Sequence, residues 1–587
     1  MFRLPLLDDL RQAHRASLAA DGLAGTITAM LLIPQALAYA LLAGLPPAVG
    51  LYASVLPMLM YALLGSSRTL SVGPVAVAAV MVSTALTPYA NGDADKYLEG
   101  ALLLSAMSGA VLLGMAGLRL GWLTHFISHP VLSGFTTGAA LFIIGTQLPA
   151  LTGITVPRTA DLSGTLAALW TQRESVQTPV IGFGLVALAL LLLAREPLQR
   201  GLQRAGFQQT HAQRLSRAAP LLVVMAATAL STQLDAAYRW QLPVVGLIPQ
   251  GLPAPSLGFL NATGWQALLP AAVMIALINY VESISVAKTL AFKRGEKVDA
   301  DQELLALGST NVVAACAGAM PVCGGFARST VNFDAGARSQ SAAVVTALWV
   351  ALAAFALTGL LAPLPKAVLA AIIIVAVWQL VDFKSLIHTW RYDRGDGTAQ
   401  ALTIVGVLGF GIEAGLMAGA GLSLALFLYR SSRPHIAVVG RLVDTEHYRN
   451  VLRHPVTTFP GLLLIRVDET LYFANAPRVE SELQHLIVSQ PQLKAVVLIM
   501  CGVAYVDTSG LEVLESLEAE LRQKGVALHL AEVKGPVMDR LRGTTLLAAL
   551  GQDRVHLSAE EAVRQLHGSC PHPNPPPQAG EGWVGAK

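Results

Sequence analysis

Long stretches of this chain carry no acidic or basic side chain. Gly22–Ser67, Thr69–Gly92, Trp240–Val281 and Ser339–Pro365 contain no Asp, Glu, Lys or Arg. Crossing a bilayer's hydrocarbon core as a helix takes about 20 mostly apolar residues, so the pattern is that of a polytopic membrane protein. Apolar segments punctuated by Gly, Pro or charge fall near 22–42, 47–65, 73–88, 100–118, 122–148, 178–194 and 218–234. A second set falls near 268–287, 303–319, 324–334, 341–361, 367–381, 398–411 and 414–430. Seven segments per half reverse the second half relative to the first, the inverted-repeat plan of many secondary transporters. The pattern predicts a transmembrane domain of fourteen helices over 21–433, with repeats over about 21–235 and 266–433.

After Arg433 the pattern becomes that of a soluble domain, 434–567. Residues 461–476 alternate like a strand and then turn, and 493–510 form a continuous apolar run suited to a buried strand. An amphipathic helix over 511–525, ended by Gly, precedes another strand at 526–533. Strands alternating with helices indicate an α/β unit with parallel strands. The Pro/Gly-rich stretch 568–587 cannot bury a core and reads as a disordered tail. The N-terminal segment 1–20 contains Asp8, Asp9, Arg11 and Arg15 and no long apolar run, unlike a cleavable signal peptide.

Composition agrees with the pattern. Of 587 residues 54% are hydrophobic and 13% charged, with a mean hydropathy of +0.56, against about 25% charged in soluble proteins. With the N-terminus placed in the cytoplasm, twenty Lys and Arg up to Arg433 fall on the inner side. Five fall outside: Lys96, Arg158, Arg173, Arg239 and Lys366. This fits the positive-inside rule and predicts a cytoplasmic N-terminus and C-terminal domain. The four cysteines are scattered, which implies neither a disulfide framework nor a metal site. No GxxxxGK[ST] loop is present, so ATP-driven transport is not expected. No nucleophile–base pair can be assembled, so no enzyme activity, cofactor or nucleic-acid partner is expected either.

Arg328 belongs to neither side. The 24 residues before it carry no charge, and an unpaired cation in the bilayer costs a few kcal/mol or more. It must face a wet cavity, a partner or a ligand. Short segments beginning at Gly73–Pro74 and Gly324–Gly325, third in each half, would turn two helix N-termini inward, each bearing open N–H donors and about half a positive charge. Pro74 suits a first helical turn. Two such ends beside Arg328 make an anion site. The competing reading pairs Arg328 with Asp334 or Glu282 to lock the fold. Glu282, after 42 uncharged residues, could take up and release a proton during transport, or hold Na⁺ when ionised. Its alternative is a salt bridge to Arg328 or Lys288. Gln35 and Tyr39, four apart on one helical face, can offer hydrogen bonds to a polar ligand.

At these residues the chain resembles a known family. "PQALAYALLAGLPPAVGLYASVLPMLMYALLGSSRTLSVGPVAV" (34–77), "SHPVLSGFTTGAAL" (128–141) and "GGFARSTVNFDAGARSQ" (324–340) are similar to motifs of the sulfate permease family of anion transporters. "VDTSGLEVL" (506–514) resembles the STAS domain, shared with anti-sigma-factor antagonists. The resemblance implies fourteen helices in two intertwined inverted repeats, split into core and gate subdomains. It further implies an elevator mechanism, a substrate between helices 3 and 10, and a homodimer. By motif position it implies that Gln35, Tyr39, Gly73, Pro74, Val75, Gly325, Phe326, Ala327 and Arg328 line the anion pocket, with Glu282 as the cation-coupling carboxylate. Glu there is more typical of proton-coupled sulfate or dicarboxylate carriers, whereas Na⁺-driven bicarbonate carriers tend to have Asp.

Ser509 matches the position phosphorylated in the bacterial antagonists, although "DTSG" is also a good helix cap. The expectation is a proton-coupled sulfate symporter of a bacterial inner membrane, partnered by an inorganic anion, H⁺ (or Na⁺), membrane lipid and a second copy of itself. The alternatives are a bicarbonate, chloride or C4-dicarboxylate transporter (H⁺- or Na⁺-coupled, or an exchanger), a nucleobase:cation symporter, and a membrane-anchored phospho-signalling scaffold using Ser509.

Overall fold

The computed structural model describes residues 5–6 and 15–567, apart from residues 127, 157–161, 195, 207, 256, 262 and 491. The tail 568–587 and most of the segment 1–20 lie outside the described residues. Contacts divide the chain into two compact units, Met1–Ser423 and Leu424–Lys587.

In the first unit a helix or a broken helix pair stands on each of the fourteen apolar segments. The first half runs through α1 (Arg15–Leu42), the pair Pro47–Tyr52 and Leu56–Leu64, α2 (Ala76–Ala90), Ala94–Gly117, His129–Thr152, Thr178–Leu193 and Gln209–Gln233. The second runs through α3 (Trp265–Phe292), α4 (Ala300–Cys316), α5 (Phe326–Asp334), Ser341–Ala356, α6 (Lys366–Trp378), Arg394–Phe410 and Ile412–Ser431. Seven helical stretches are long and apolar enough to cross a bilayer, and α2 is among the shorter apolar ones. Prolines open several helices, where a missing N–H leaves no bond unmade: Pro47, Pro57, Pro130 and Pro179 all lie in first turns. Asp93 and Asp299 cap the helix Ala94–Gly117 and α4 by accepting from two backbone amides each.

Small residues let these helices touch backbone to backbone. A Cβ on Gly50 would stand 1.9 Å from the Ala36 carbonyl oxygen, and one on Gly109 would stand 2.8 Å from that of Gly308. Such contacts replace a hydrophobic driving force that is weak between helices in lipid. One packing device was invisible in the hydrophobic pattern. Glu303 on α4 is fully buried and accepts from the Tyr61 hydroxyl (2.8 Å), the Ser66 amide and hydroxyl (2.8 Å each) and the Ser67 amide (3.0 Å). A carboxylate so supplied with donors fixes the loop that leads into the third segment.

Two extended dipeptides cross in the middle of this unit. β1 (Val72–Gly73) pairs antiparallel with β2 (Cys323–Gly324), Val72 opposite Gly324 and Gly73 opposite Cys323. α2 and α5 start immediately after them, at Ala76 and Phe326. Pro74 therefore does not sit in a first turn, as expected above. It precedes the N-cap residue Val75, because the chain stays extended through the strand crossing before it can coil.

The second unit is a mixed sheet. β3 (Ile436–Leu442) pairs antiparallel with β4 (Tyr448–Asn450), β5 (Val456–Thr457) and β6 (Leu462–Val467). β6, β7 (Ala495–Ile499), β8 (Ala527–Ala531) and β9 (Val555–His556) are parallel. The parallel core matches expectation, and β3 adds an antiparallel edge to it. The alternation expected for 461–476 is not seen in burial: Leu462, Leu463, Leu464, Ile465 and Val467 are all buried, since a central strand is covered on both faces. Helices α7 (Ala476–Val488) and α8 (Thr508–Gln523) cover one face.

His529 on β8 and His556 on β9 are buried and meet at 2.9 Å, Nδ1 to Nε2. One proton must lie between them, so the pair is held neutral. Burial pushes His529 down to about 4 from its ordinary 6.5, helped by repulsion from His556 and Arg554. The unfolded chain then binds more protons than the folded one between these values, so this unit gains stability as pH rises from about 4 to 6.5 and keeps it above. Chemical denaturation at stepped pH is expected to show that rise, and His529→Gln to flatten it. Glu303→Ala, which strands four donors, is expected to destabilise the first unit by on the order of 3 kcal/mol. A lower midpoint of thermal unfolding in detergent would report it, with Glu303→Gln losing less.

Candidate functional site

The strand crossing is held by side chains from neighbouring helices. The Asn311 carboxamide on α4 pairs with both backbone groups of Val322, donating to its carbonyl (3.0 Å) and accepting from its amide (2.9 Å). On α3, the Ser283 hydroxyl accepts from the Gly324 amide (2.8 Å) and donates to the Asn279 carbonyl (2.6 Å). From α5 the Ser329 hydroxyl accepts from the Ser71 amide (2.9 Å), and Asn332 donates to the Thr69 carbonyl (3.1 Å). Gln340 donates to the Ser67 carbonyl, and the Gly325 amide donates to the Ser71 carbonyl (3.2 Å). These bonds satisfy backbone that leaves the helix inside an apolar unit, where an unmade bond costs several kcal/mol.

Arg328 lies in the first turn of α5, 2% exposed. Its guanidinium folds back onto Gly73, Pro74 and Gly325. A Cβ built on Gly73 would come within 3.3 Å of Nη2, and one on Gly325 within 3.1 Å of Nη2 and 3.2 Å of Cζ. Glycine at both positions is what makes room for the cation. Nη1 donates to the Pro74 carbonyl. Nε and Nη2 are buried without a partner among the described residues. Arg328 makes no ion pair with Glu282 or Asp334 among the described residues, so the fold-locking salt bridge is not what the structure shows. Two donors of a permanent cation are left open beside the N-termini of α2 and α5. All three features favour a negative charge.

The expected residues surround this point. Gln35 and Tyr39 are buried on α1, and Tyr39, Glu282 and Arg328 lie within electrostatic reach of one another. Val75 is the N-cap of α2, and its Cγ2 would lie 3.4 Å from a Cβ on Gly325. Phe326, 39% exposed, and Ala327 line a cavity of about 260 Å³ together with Gln35, Leu31, Thr330 and Asp334. The hydroxyl of Thr330 is buried without a partner, as are that of Ser71 and both polar atoms of Asn279. Glu282 is half-buried on α3, with Oε2 4.0 Å from the Cys323 sulfur.

Ser509 stands apart from this site, in the second unit. It is not the cap of α8. Asp507 is, accepting from the Gly510 amide (2.9 Å) and, through Oδ2, from the Phe473 amide (2.8 Å). An acceptor two residues earlier takes the capping role, and Ser509 is left lining a cavity with Phe473, Glu480 and Glu512.

Sequence reasoning missed Ser283, Asn311, Ser329, Asn332, Gln340 and Thr330. Their one signal is a small polar side chain within an apolar segment.

Comparisons with known proteins bear on the family and the fold. The sulfate permease family matches residues 18–403, and the STAS domain matches 454–562. The chloroplastic sulfate transporter 4.1 of Arabidopsis thaliana is 33% identical over 557 residues, covering 93% of this chain and 79% of that protein. The high affinity sulfate transporter 2 of Stylosanthes hamata is 30% identical over 574 residues, covering 95% and 85%. The structure of the murine Solute Carrier 26 family member A9 anion transporter in the inward-facing state superposes with a TM-score of 0.88. It is 24% identical and covers 96% of this chain and 94% of that one. The fold is therefore that of this transporter class, with membrane helices followed by a STAS domain.

Gly325→Ala is expected to displace the guanidinium and weaken anion binding about tenfold. Stabilisation by added sulfate in a thermal unfolding assay would measure this without requiring transport. Gly114→Ala, where the added methyl meets nothing within 4 Å, is expected to leave that stabilisation unchanged.

Proposed function

The chain belongs to the sulfate permease family, and we propose that it is a secondary active transporter that moves sulfate together with protons. The observation that carries this reading is the pair of unpartnered donors, Nε and Nη2 of Arg328, buried between the starts of two helices. An anion placed there gains two charge-assisted hydrogen bonds and the N–H donors of α2 and α5 without any covalent chemistry. Sulfate, a tetrahedral dianion with four acceptor oxygens, fills such a converging set. The sulfate transporters among its relatives favour it over other anions. Bicarbonate, chloride or a C4-dicarboxylate would use the same donors. A nucleobase would leave the guanidinium charge uncompensated.

In this reading Gln35, Tyr39, Gly73, Pro74, Val75, Gly325, Phe326, Ala327 and Arg328 form the anion pocket, and Glu282 carries the coupled proton. The carboxyl group stands close enough to sense the anion's charge but makes no ion pair with Arg328, so it is free to change its protonation as the anion binds. The fourteen helices act as two inverted repeats forming core and gate. β1 and β2 tie α2 and α5 into one body that moves as an elevator. The protein is a homodimer of a bacterial inner membrane, with its N-terminus and STAS domain (434–567) in the cytoplasm. Ser509 is a regulatory phosphosite, where a phosphate would meet the carboxylates of Glu480 and Glu512 and force the lining of that cavity apart.

The test is uptake of labelled sulfate into proteoliposomes under an imposed proton gradient and then a sodium gradient, with excess bicarbonate, chloride or fumarate as competitors. Proton-driven accumulation is expected. Robust transport of another anion and none of sulfate would discard the substrate. Arg328→Ala is expected to abolish saturable uptake while the protein still folds. Glu282→Gln is expected to bind sulfate but lose accumulation under the proton gradient. If that variant still concentrates the anion, the coupling role is wrong.

A further inference from the structure

Two cavities flank the anion site along α1. The one lined by Gln35 and Phe326 begins at Leu31. The other, of about 350 Å³, begins at Ala38 and reaches Leu42 and Gly44. On α2 it touches Val80, Ser83 and Thr84, beyond the N-cap Val75. Tyr39 and Val75 thus stand between two vestibules that approach the site from opposite directions. On the orientation proposed above, the Ala38–Gly44 vestibule opens to the outside.

Lys366 is the one charged side chain among the described residues lining this outer vestibule. Its ammonium has neither an ion-pair partner nor a hydrogen bond among the described residues. Its backbone is fixed: the Lys366 amide donates to the Pro243 carbonyl (2.9 Å), and Val245 and Gly246 donate to the carbonyls of Leu364 (2.9 Å) and Ala362 (3.0 Å). Lys366 is also the first residue of the thirteen-residue α6, so the positive end of that helix dipole adds to its charge. The Ser83 hydroxyl adds a polar group to this lining, while those of Thr84 and Thr146 donate to the carbonyls of Val80 (3.0 Å) and Ile143 (2.7 Å).

We propose that Lys366 is an outer capture residue, which draws an inorganic anion into the vestibule and passes it to Arg328. This inference rests on the anion-transport reading above. A single cation at a cavity mouth concentrates anions by focusing the field through a low-dielectric passage. It changes how readily the anion enters and does not alter the bound state on Arg328.

The experiment measures initial rates of anion uptake by intact cells expressing the full chain, where only the outer face meets the label. Lys366→Gln is expected to raise KM about fivefold, to leave the maximal rate unchanged and to flatten the dependence of KM on ionic strength. Lys366→Arg is expected to restore all three. In Lys366→Cys, a membrane-impermeant thiol reagent bearing an ammonium is expected to restore the low KM, and one bearing a sulfonate to raise it further. Kinetics of Lys366→Gln equal to wild type would overturn the proposal, as would Arg and Gln variants impaired alike in maximal rate, or a cysteine that the impermeant reagent does not reach. Failure of the wild-type protein to carry any inorganic anion would instead sink the transport reading itself.

Discussion

A buried guanidinium with two open donors is the constraint on which the rest of the membrane unit depends. Arg328 stands where two helices begin, so three positive contributions meet in one small volume. Left alone, that arrangement is unfavourable by a few kcal/mol or more in a bilayer interior. The surroundings hold it there nonetheless. Asn311, Ser283, Ser329, Asn332 and Gln340 satisfy the extended backbone on either side, and Gly73 and Gly325 keep the space open. On the reading proposed above, stability is given up locally so that a negative ligand can restore it, a common bargain at binding sites.

The scaffold that sustains this tension is rigid for identifiable reasons. Helix backbones meet at Gly50 and Gly109, and Glu303 gathers three donors from the loop entering β1 and a fourth from Tyr61. Arg294 closes the other end of α5, donating to the Phe333 carbonyl and stacking on the Phe333 ring at 4.3 Å. A positive side chain at that end complements the helix dipole, so the frustration is confined to the start of α5. The STAS unit is built on separate terms. Its sheet is covered on both faces and has its own apolar core.

Much of this was legible in the sequence, and the reasons differ by element. Long runs without charge admit one reading, and each of the fourteen apolar segments meets a helix. Arg328 was conspicuous because its charge breaks such a run. Glu303, Asn311 and Ser283 were not, because a polar side chain reveals a role only once its partners, from 11 residues away for Asn311 to 242 for Glu303, are in place. Pro74 was expected in a first helical turn, but the strand crossing keeps the chain extended there; Ser509 does lie in the first turn of α8, and only the capping role belongs to its neighbour Asp507. β3 escaped notice because its pairing with β6 is set by the sheet and not by its own pattern.

The pairing of Val72 with Gly324 also governs how the protein can be made. β1 emerges from the ribosome about 250 residues before its partner. At about 5–20 residues per second, that interval is on the order of 10–50 s. Through it, the extended backbone around Gly73 has no ladder to join, and the amides at the start of α2 have no strand beside them. Bilayer lipid cannot satisfy those groups. The first half is therefore an unfinished intermediate, inserted but not closed, until the second half supplies its strand. Formation of the strand crossing is a single late event that completes both halves at once.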